Sequence, residues 1–261
     1  MTIVKHELRQ GRTAFLIWTA SIGFLLAVCI FLFPEMKGEM SGISEVFSSM
    51  GSFTAAFGMD KLNFGTLTGY YAIECGNVLG LGGAFFSSLC AAGMLSKEEK
   101  GKTAEFLLTH PKSRVRIITE KLAAVLLQIT ALNLIIWAVS AGSMKMIGEN
   151  VPWKIFNLIH LAYFILQAEL AGICFGVSAF IRNGSAGIGL GIAVFMYFLN
   201  LIANIAESAE FLKYVTPFGY SDGADIVTNG RLDGTMIIIG IAAAIVGIGA
   251  AYLKYSKKDI H

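Results

Sequence analysis

Two carboxylates lie where a carboxylate is expensive. Glu74 and Glu169 each fall inside a long apolar run, and an ionised side chain in mid-bilayer costs about 2.5–3.5 kcal/mol on insertion scales. Such a group needs a partner, a proton or a watery cavity, so the chemistry on offer is proton or ion handling. Glu74, a turn or so from the end of its run, reads as an interfacial acid reaching headgroups. Glu169 is central, and two readings stand open for it: a hydrogen bond between helices, or a place in a translocation path. Gln128, Asn133, Asn200 and Asn204 add polar groups to neighbouring runs. Helix glue worth about 0.6 kcal/mol each is their default role, and with Glu169 they form the candidate translocation path. His160 reads as an interfacial histidine rather than a proton relay.

The enzymatic alternatives are thin. There is no HExxH, no Ser-His-Asp set and no clustered pair of acids on the inner face. The four cysteines, Cys29, Cys75, Cys90 and Cys174, sit in apolar blocks without a CxxC pair, which indicates neither a disulfide framework nor a structural zinc. Gly101, Lys102 and Thr103 imitate the end of a phosphate-binding loop, but the glycine required five positions earlier is Ser96. No nucleotide or other cofactor site is expected in this chain, and catalytic and metal-ligating residues are expected to be none.

The elements that position these residues follow from composition. Of 261 residues, 55% are hydrophobic and 15% charged, and mean hydropathy is +0.67. Counted with glycine, the apolar share is roughly 63%, against about 45–50% in soluble domains. A net charge of +2 gives no reason to expect nucleic acid as a partner. An apolar helix of about 20 residues crosses the hydrocarbon core, and the chain holds six such runs: Thr13 to Phe33, Tyr71 to Leu95, Leu122 to Met144, Phe156 to Ile181, Ser185 to Ala206 and Met236 to Leu253. Their continuous hydrophobicity selects helices over a barrel, whose strands alternate. The first run, about 21 residues long and ending at Pro34 without a small-residue cleavage site, reads as a retained helix rather than a signal peptide. The fold class expected is all-α, one transmembrane domain over residues 1–261.

Basic residues stay in the cytoplasm. With the N-terminus inside, 14 of the 20 Lys and Arg fall on inner segments, so both termini are expected to be cytoplasmic. Pro34 to Tyr70 reads as an outer loop of unknown role. Glu207 to Thr235 reads as a short helix with Phe211, Leu212 and Val215 on one face, broken at Pro217 and Gly219, or as a plain connecting loop. The small-residue pairs Gly76/Gly80, Gly172/Gly176 and Gly187/Gly191 allow close helix approach, within one subunit or between two.

The inner segment Ser96 to Lys121 is the most informative. Ser96 is a candidate N-cap, Glu98 and Glu99 suit a first helical turn, Ala104, Phe106, Leu107 and Leu108 make an apolar cluster, and Pro111 stops the helix. This predicts a short amphipathic helix whose apolar face is covered by the chain's own helices or by another subunit.

In this segment the chain resembles an ATP-binding-cassette permease of the type-2, export-type superfamily. The matching positions are Glu98, Glu99, Gly101, Thr103, Glu105, Leu107, Leu108, Pro111, Ser113, Arg114 and Lys121, with Lys102 inserted between Gly and Thr. MTIVKHELRQGR is similar to the family's interfacial N-terminal helix, and TPFGYSDGADIV to its re-entrant region before the last span. The resemblance implies that Ser96 to Pro111 is a coupling helix docked into a separate ATP-binding subunit, with Glu98, Glu99 and Lys100 setting register and Phe106, Leu107 and Leu108 supplying burial. It further implies ATP and Mg²⁺ bound by that partner, a second permease subunit, identical or homologous, a lipid environment in a bacterial inner membrane, and export as the direction. A gradient-driven carrier using Glu169 is the alternative, and the cargo is not legible.

Overall fold

The computed structural model describes residues 2–49, 51–97, 113–181 and 186–257. Its elements are α1 (Thr2–Ser49), α2 (Ser52–Ala56), α3 (Leu67–Cys75), a π-helical turn (Gly76–Gly80), α4 (Leu81–Ala92), α5 (Arg114–Met146), α6 (Trp153–Ser178), α7 (Ala186–Ile205), a 3₁₀ helix (Glu207–Tyr214), α8 (Gly223–Asn229) and α9 (Gly234–Ser256). There is no strand among the described residues. Among the described residues, six helical stretches are long and apolar enough to cross a membrane: Ile3–Gly38, Leu67–Ala92, Arg114–Met146, Trp153–Ser178, Gly187–Ile205 and Gly234–Ser256.

α1 corrects the expected first span. It runs unbroken through the N-terminal stretch likened to an interfacial helix, past Pro34, and takes in the first 16 residues of the expected outer loop. At 1.5 Å per residue its 48 residues extend about 72 Å, more than twice a hydrocarbon core of about 30 Å. Apolar length marks where a helix can sit in lipid, whereas the hydrogen-bond ladder also continues through polar residues. Pro34 withholds one bond from that ladder without ending it. α2 occupies more of the expected loop, so much of Pro34 to Tyr70 is helical.

α6 is the hub. It packs on α9, α4, α5 and α3 and carries much of the core, including Phe156, Ile159, Leu166, Leu170, Cys174 and Phe175. The α6–α9 seam is made of small residues: a Cβ on Gly172 would meet Ala244, and one on Gly176 would lie 2.5 Å from the carbonyl oxygen of Gly247. Gly76 and Gly80 instead form a notch for the Tyr163 ring of α6, where an added Cβ would come within 2.9 and 2.8 Å. Both pairs therefore work within the subunit, whereas an added Cβ on Gly191 meets nothing within 4 Å. Large apolar side chains on the outside, such as Phe24, Leu134 and Val246, face what the composition predicts to be lipid.

The segment before α9 is helical, as its pattern suggested. Phe211 and Val215 project outward, and Asp222 caps α8 by accepting from the Ala224 N–H at 2.9 Å. Residues 98–112 and 182–185 lie outside the described residues. The expected coupling positions Glu98, Glu99, Lys100, Gly101, Thr103, Glu105, Phe106, Leu107, Leu108 and Pro111 fall there.

Candidate functional site

The two chain ends that flank residues 98–112 are both anchored. On the α4 side, the Lys97 ammonium bonds to the carboxylate of Glu7 and, at 2.7 Å, to Gln10 Oε1. On the α5 side, Ser113 caps the helix by accepting from the Arg116 N–H at 3.3 Å. Lys121, fully buried, donates to Glu7 Oε1 at 3.0 Å and to the Met94 carbonyl at 2.7 Å. One buried carboxylate on α1 thus ties together both sides of the inner segment. A buried ion pair is stable only with such well-placed partners, because each desolvated charge costs several kcal/mol.

Two further contacts reach helix termini. Glu120 Oε2 accepts from the N–H groups of Ile3 and Val4 at 3.0 and 3.4 Å, 117 and 116 residues away. Those amides open α1 and have no partner within it, and a carboxylate suits the positive end of the helix dipole. Arg116 holds the other oxygen of Glu120 at 3.0 Å. Arg114 donates to the carbonyls of Tyr255 and Ser256 at 3.4 and 3.2 Å, satisfying acceptors at the end of α9. The start of α5 is thereby joined to the first helix and the last.

The residues of the candidate translocation path are not gathered in one place. Asn133 donates from Nδ2 to Gln167 Oε1 at 2.7 Å, a buried pair between α5 and α6, with Gln167 fitted against Gly83. Gln128 accepts from the Cys90 thiol at 3.6 Å and lines a cavity of about 310 Å³ between α1, α4 and α5. Asn200 and Asn204 line a second cavity, of about 60 Å³, at the opposite end. Glu169 faces α9 in the notch left by Gly240, and neither of its oxygens has a hydrogen-bond partner among the described residues. Tyr220 lies beside it, and burial first, then the Glu169 charge, hold that phenol well above its ordinary pKa.

Glu74 is half-buried and takes the Cys29 thiol at 3.5 Å. His160 is buried, bonded through Nε2 to the Tyr71 hydroxyl at 2.8 Å and packed on Phe156 with centroids 4.5 Å apart. The apolar faces of Tyr71 and Phe156 admit an imidazole that composition alone assigns to the surface. Replacing Gln167 by Leu is expected to lower stability by about 1 kcal/mol, within the range for intramembrane hydrogen bonds. Denaturant titration of the purified variant measures this, and no change would mark the pair as replaceable.

Sequence reasoning passed over Glu7, Glu120, Gln167 and Asp222. Glu7 carried a usable signal, an acid alone among Lys5, Arg9 and Arg12, whereas the partners of Glu120 are backbone amides more than a hundred residues distant.

The model of the family described as "ABC-2 family transporter protein" matches residues 1–260. The uncharacterised protein YhcI of Bacillus subtilis (strain 168) is 24% identical over 239 residues, which cover 82% of this chain and 71% of that protein. Six membrane-length helices and a family match along nearly the whole sequence lead to one conclusion: the chain belongs to the ABC-2 family of transporter proteins, as a multi-pass permease component of an ABC transporter.

Proposed function

We propose that this chain is the permease subunit of an ATP-driven exporter, seated through residues 98–112 on a separate ATP-binding subunit that holds ATP and Mg²⁺. In this reading the basic end is cytoplasmic, both termini are inside, and a second six-helix permease, identical or homologous, completes the path. The observation that carries it is the anchoring of both ends of the inner segment. Force applied to residues 98–112 would be passed by Lys97 to Glu7 on α1, and by Ser113 to Lys121 into α5. Arg114 would pass it to α9 and Glu120 to the start of α1. A docked ATPase would thus move three membrane helices together instead of bending a loose loop.

Leu107→Asp tests the docking. It is expected to leave the protein in the membrane while the ATP-binding subunit recovered with a C-terminally tagged chain falls about thirtyfold, the loss of a hot-spot contact worth about 2 kcal/mol. Undiminished co-purification would overturn the docking site. Transport that persists after ATP depletion would transfer the role to a gradient-driven cycle and make Glu169 the next residue to replace.

A further inference from the structure

The second cavity has a chemistry that neither docking nor packing uses. It lies at the end opposite the termini, lined by α2, α3, the π-helical turn, α6, α7 and the segment leading into α8. Its volume of about 60 Å³ is several times the roughly 10–15 Å³ that one water occupies. Asn77, Tyr163, Tyr197, Asn200, Phe218 and Asp222 are among the residues that line it.

Three features give it a sign. Asp222 uses one oxygen for the Ala224 N–H at 2.9 Å and the other for the Asn204 amide at 3.0 Å, which leaves about two of its four lone-pair sites. No cation lies within ion-pair distance of it among the described residues: Lys61 and Lys213 are near enough to feel its charge but bond to Asp225, at 3.2 and 3.4 Å. Asn200 is 7% exposed, yet its Oδ1 accepts no hydrogen bond among the described residues. A buried acceptor left unmade costs about 1–3 kcal/mol, so a donor that fills the cavity would recover that loss. The third feature is the aromatic wall: Tyr197 and Phe218 pack edge to face at 5.4 Å, and aromatic faces attract cations. A π-helical turn beside the cavity fits such a role, because these turns collect at functional sites.

We infer that this cavity binds a primary ammonium group, with Asp222 and the Asn200 amide oxygen accepting its N–H donors and Tyr197 and Phe218 bounding it. A quaternary ammonium lacks the donors that Asn200 requires. The ammonium can come from a soluble amine or from an ethanolamine lipid headgroup, and the two sources share this recognition. The inference rests on the membrane placement of the chain but not on the ATPase partner.

The test uses the full chain in phosphatidylcholine nanodiscs. Ethylammonium binding is followed by saturation-transfer NMR and by the thermal unfolding midpoint, with tetramethylammonium and sodium at equal ionic strength as comparisons. The expected result is saturable ethylammonium binding that weakens at least about tenfold, a loss of about 1.4 kcal/mol, in both Asp222→Asn and Asn200→Leu. Asp222→Asn keeps an oxygen for the Ala224 cap, and Asn200→Leu leaves Asp222 intact should the first variant fail to fold. If only discs doped with phosphatidylethanolamine raise the midpoint, and Asn200→Leu abolishes the rise, the source is the lipid headgroup. Absence of both effects in the wild type overturns the site, as does binding unchanged in folded Asn200→Leu or equal binding of tetramethylammonium. No ATP-binding subunit takes part, so this result is independent of the Leu107→Asp experiment.

Discussion

Replacing Glu7 by Ala is expected to cost about 3–5 kcal/mol, the penalty for removing one member of a buried ion pair. Lys121 would keep its bond to the Met94 carbonyl but lose the Glu7 carboxylate at 3.0 Å, while remaining inaccessible to water. Lys97 is about a third exposed and can turn to solvent, so the damage falls on Lys121. The double variant Glu7→Ala with Lys121→Met should recover most of the loss, because it removes the buried charge together with its partner and fills the space with an apolar chain. Denaturant titrations of the wild type, both single variants and the double variant give the coupling energy directly. A Glu7→Ala variant within about 1 kcal/mol of wild type would show that the triad is not part of what holds α1 to α5.

The second large effect is expected at Gly176→Leu. Its Cβ would fall 2.5, 2.7 and 2.8 Å from the carbonyl oxygen, Cα and carbonyl carbon of Gly247, and backbone cannot swing aside as a flexible side chain does. The helices must separate along a seam that includes Gly172 against Ala244 and Glu169 against Gly240. The expected cost is about 3 kcal/mol, the upper end for forced overpacking, read as a lowered unfolding midpoint. Gly191→Leu is the matched control: nothing lies within 4 Å of its added Cβ, so a change within about 0.5 kcal/mol is expected. If both variants behaved alike, the close α6–α9 approach would be refuted.

Most of the helices were legible because lipid writes itself into composition. The last five spans begin and end within a few residues of the expected runs, apart from the start of α5, where the helix takes in the charged residues Arg114 to Lys121. Hydropathy undervalues that stretch, since Glu120 and Lys121 are charged yet buried by partners distant in sequence. The same blindness set the limits of α1. Asn133, Gln128, Asn200 and Asn204 could be singled out as polar groups in apolar helices, but whether they met was a matter of helix rotation. That rotation was decided by glycines such as Gly83 and Gly240, which make room for Gln167 and Glu169. The small-residue pairs showed the same division. Spacing identified them as contact stripes, and only the packing distinguished Gly172/Gly176, turned inward, from Gly191, turned outward.

The bond from Glu120 to the opening amides of α1 also has a consequence for how the chain is made. α1 leaves the ribosome before α5, yet the carboxylate that satisfies its leading N–H groups is 117 residues behind the first of them. The carbonyls that complete Arg114 come later still, at Tyr255 and Ser256. The helices are therefore inserted in order but fastened out of order, with the start of α1 secured only once α5 has been made and the start of α5 joined to α9 later still. Until then the basic ends of α1 and α5 are not yet joined, and a nascent chain halted before residue 120 should expose the start of α1 to proteases that the finished protein resists.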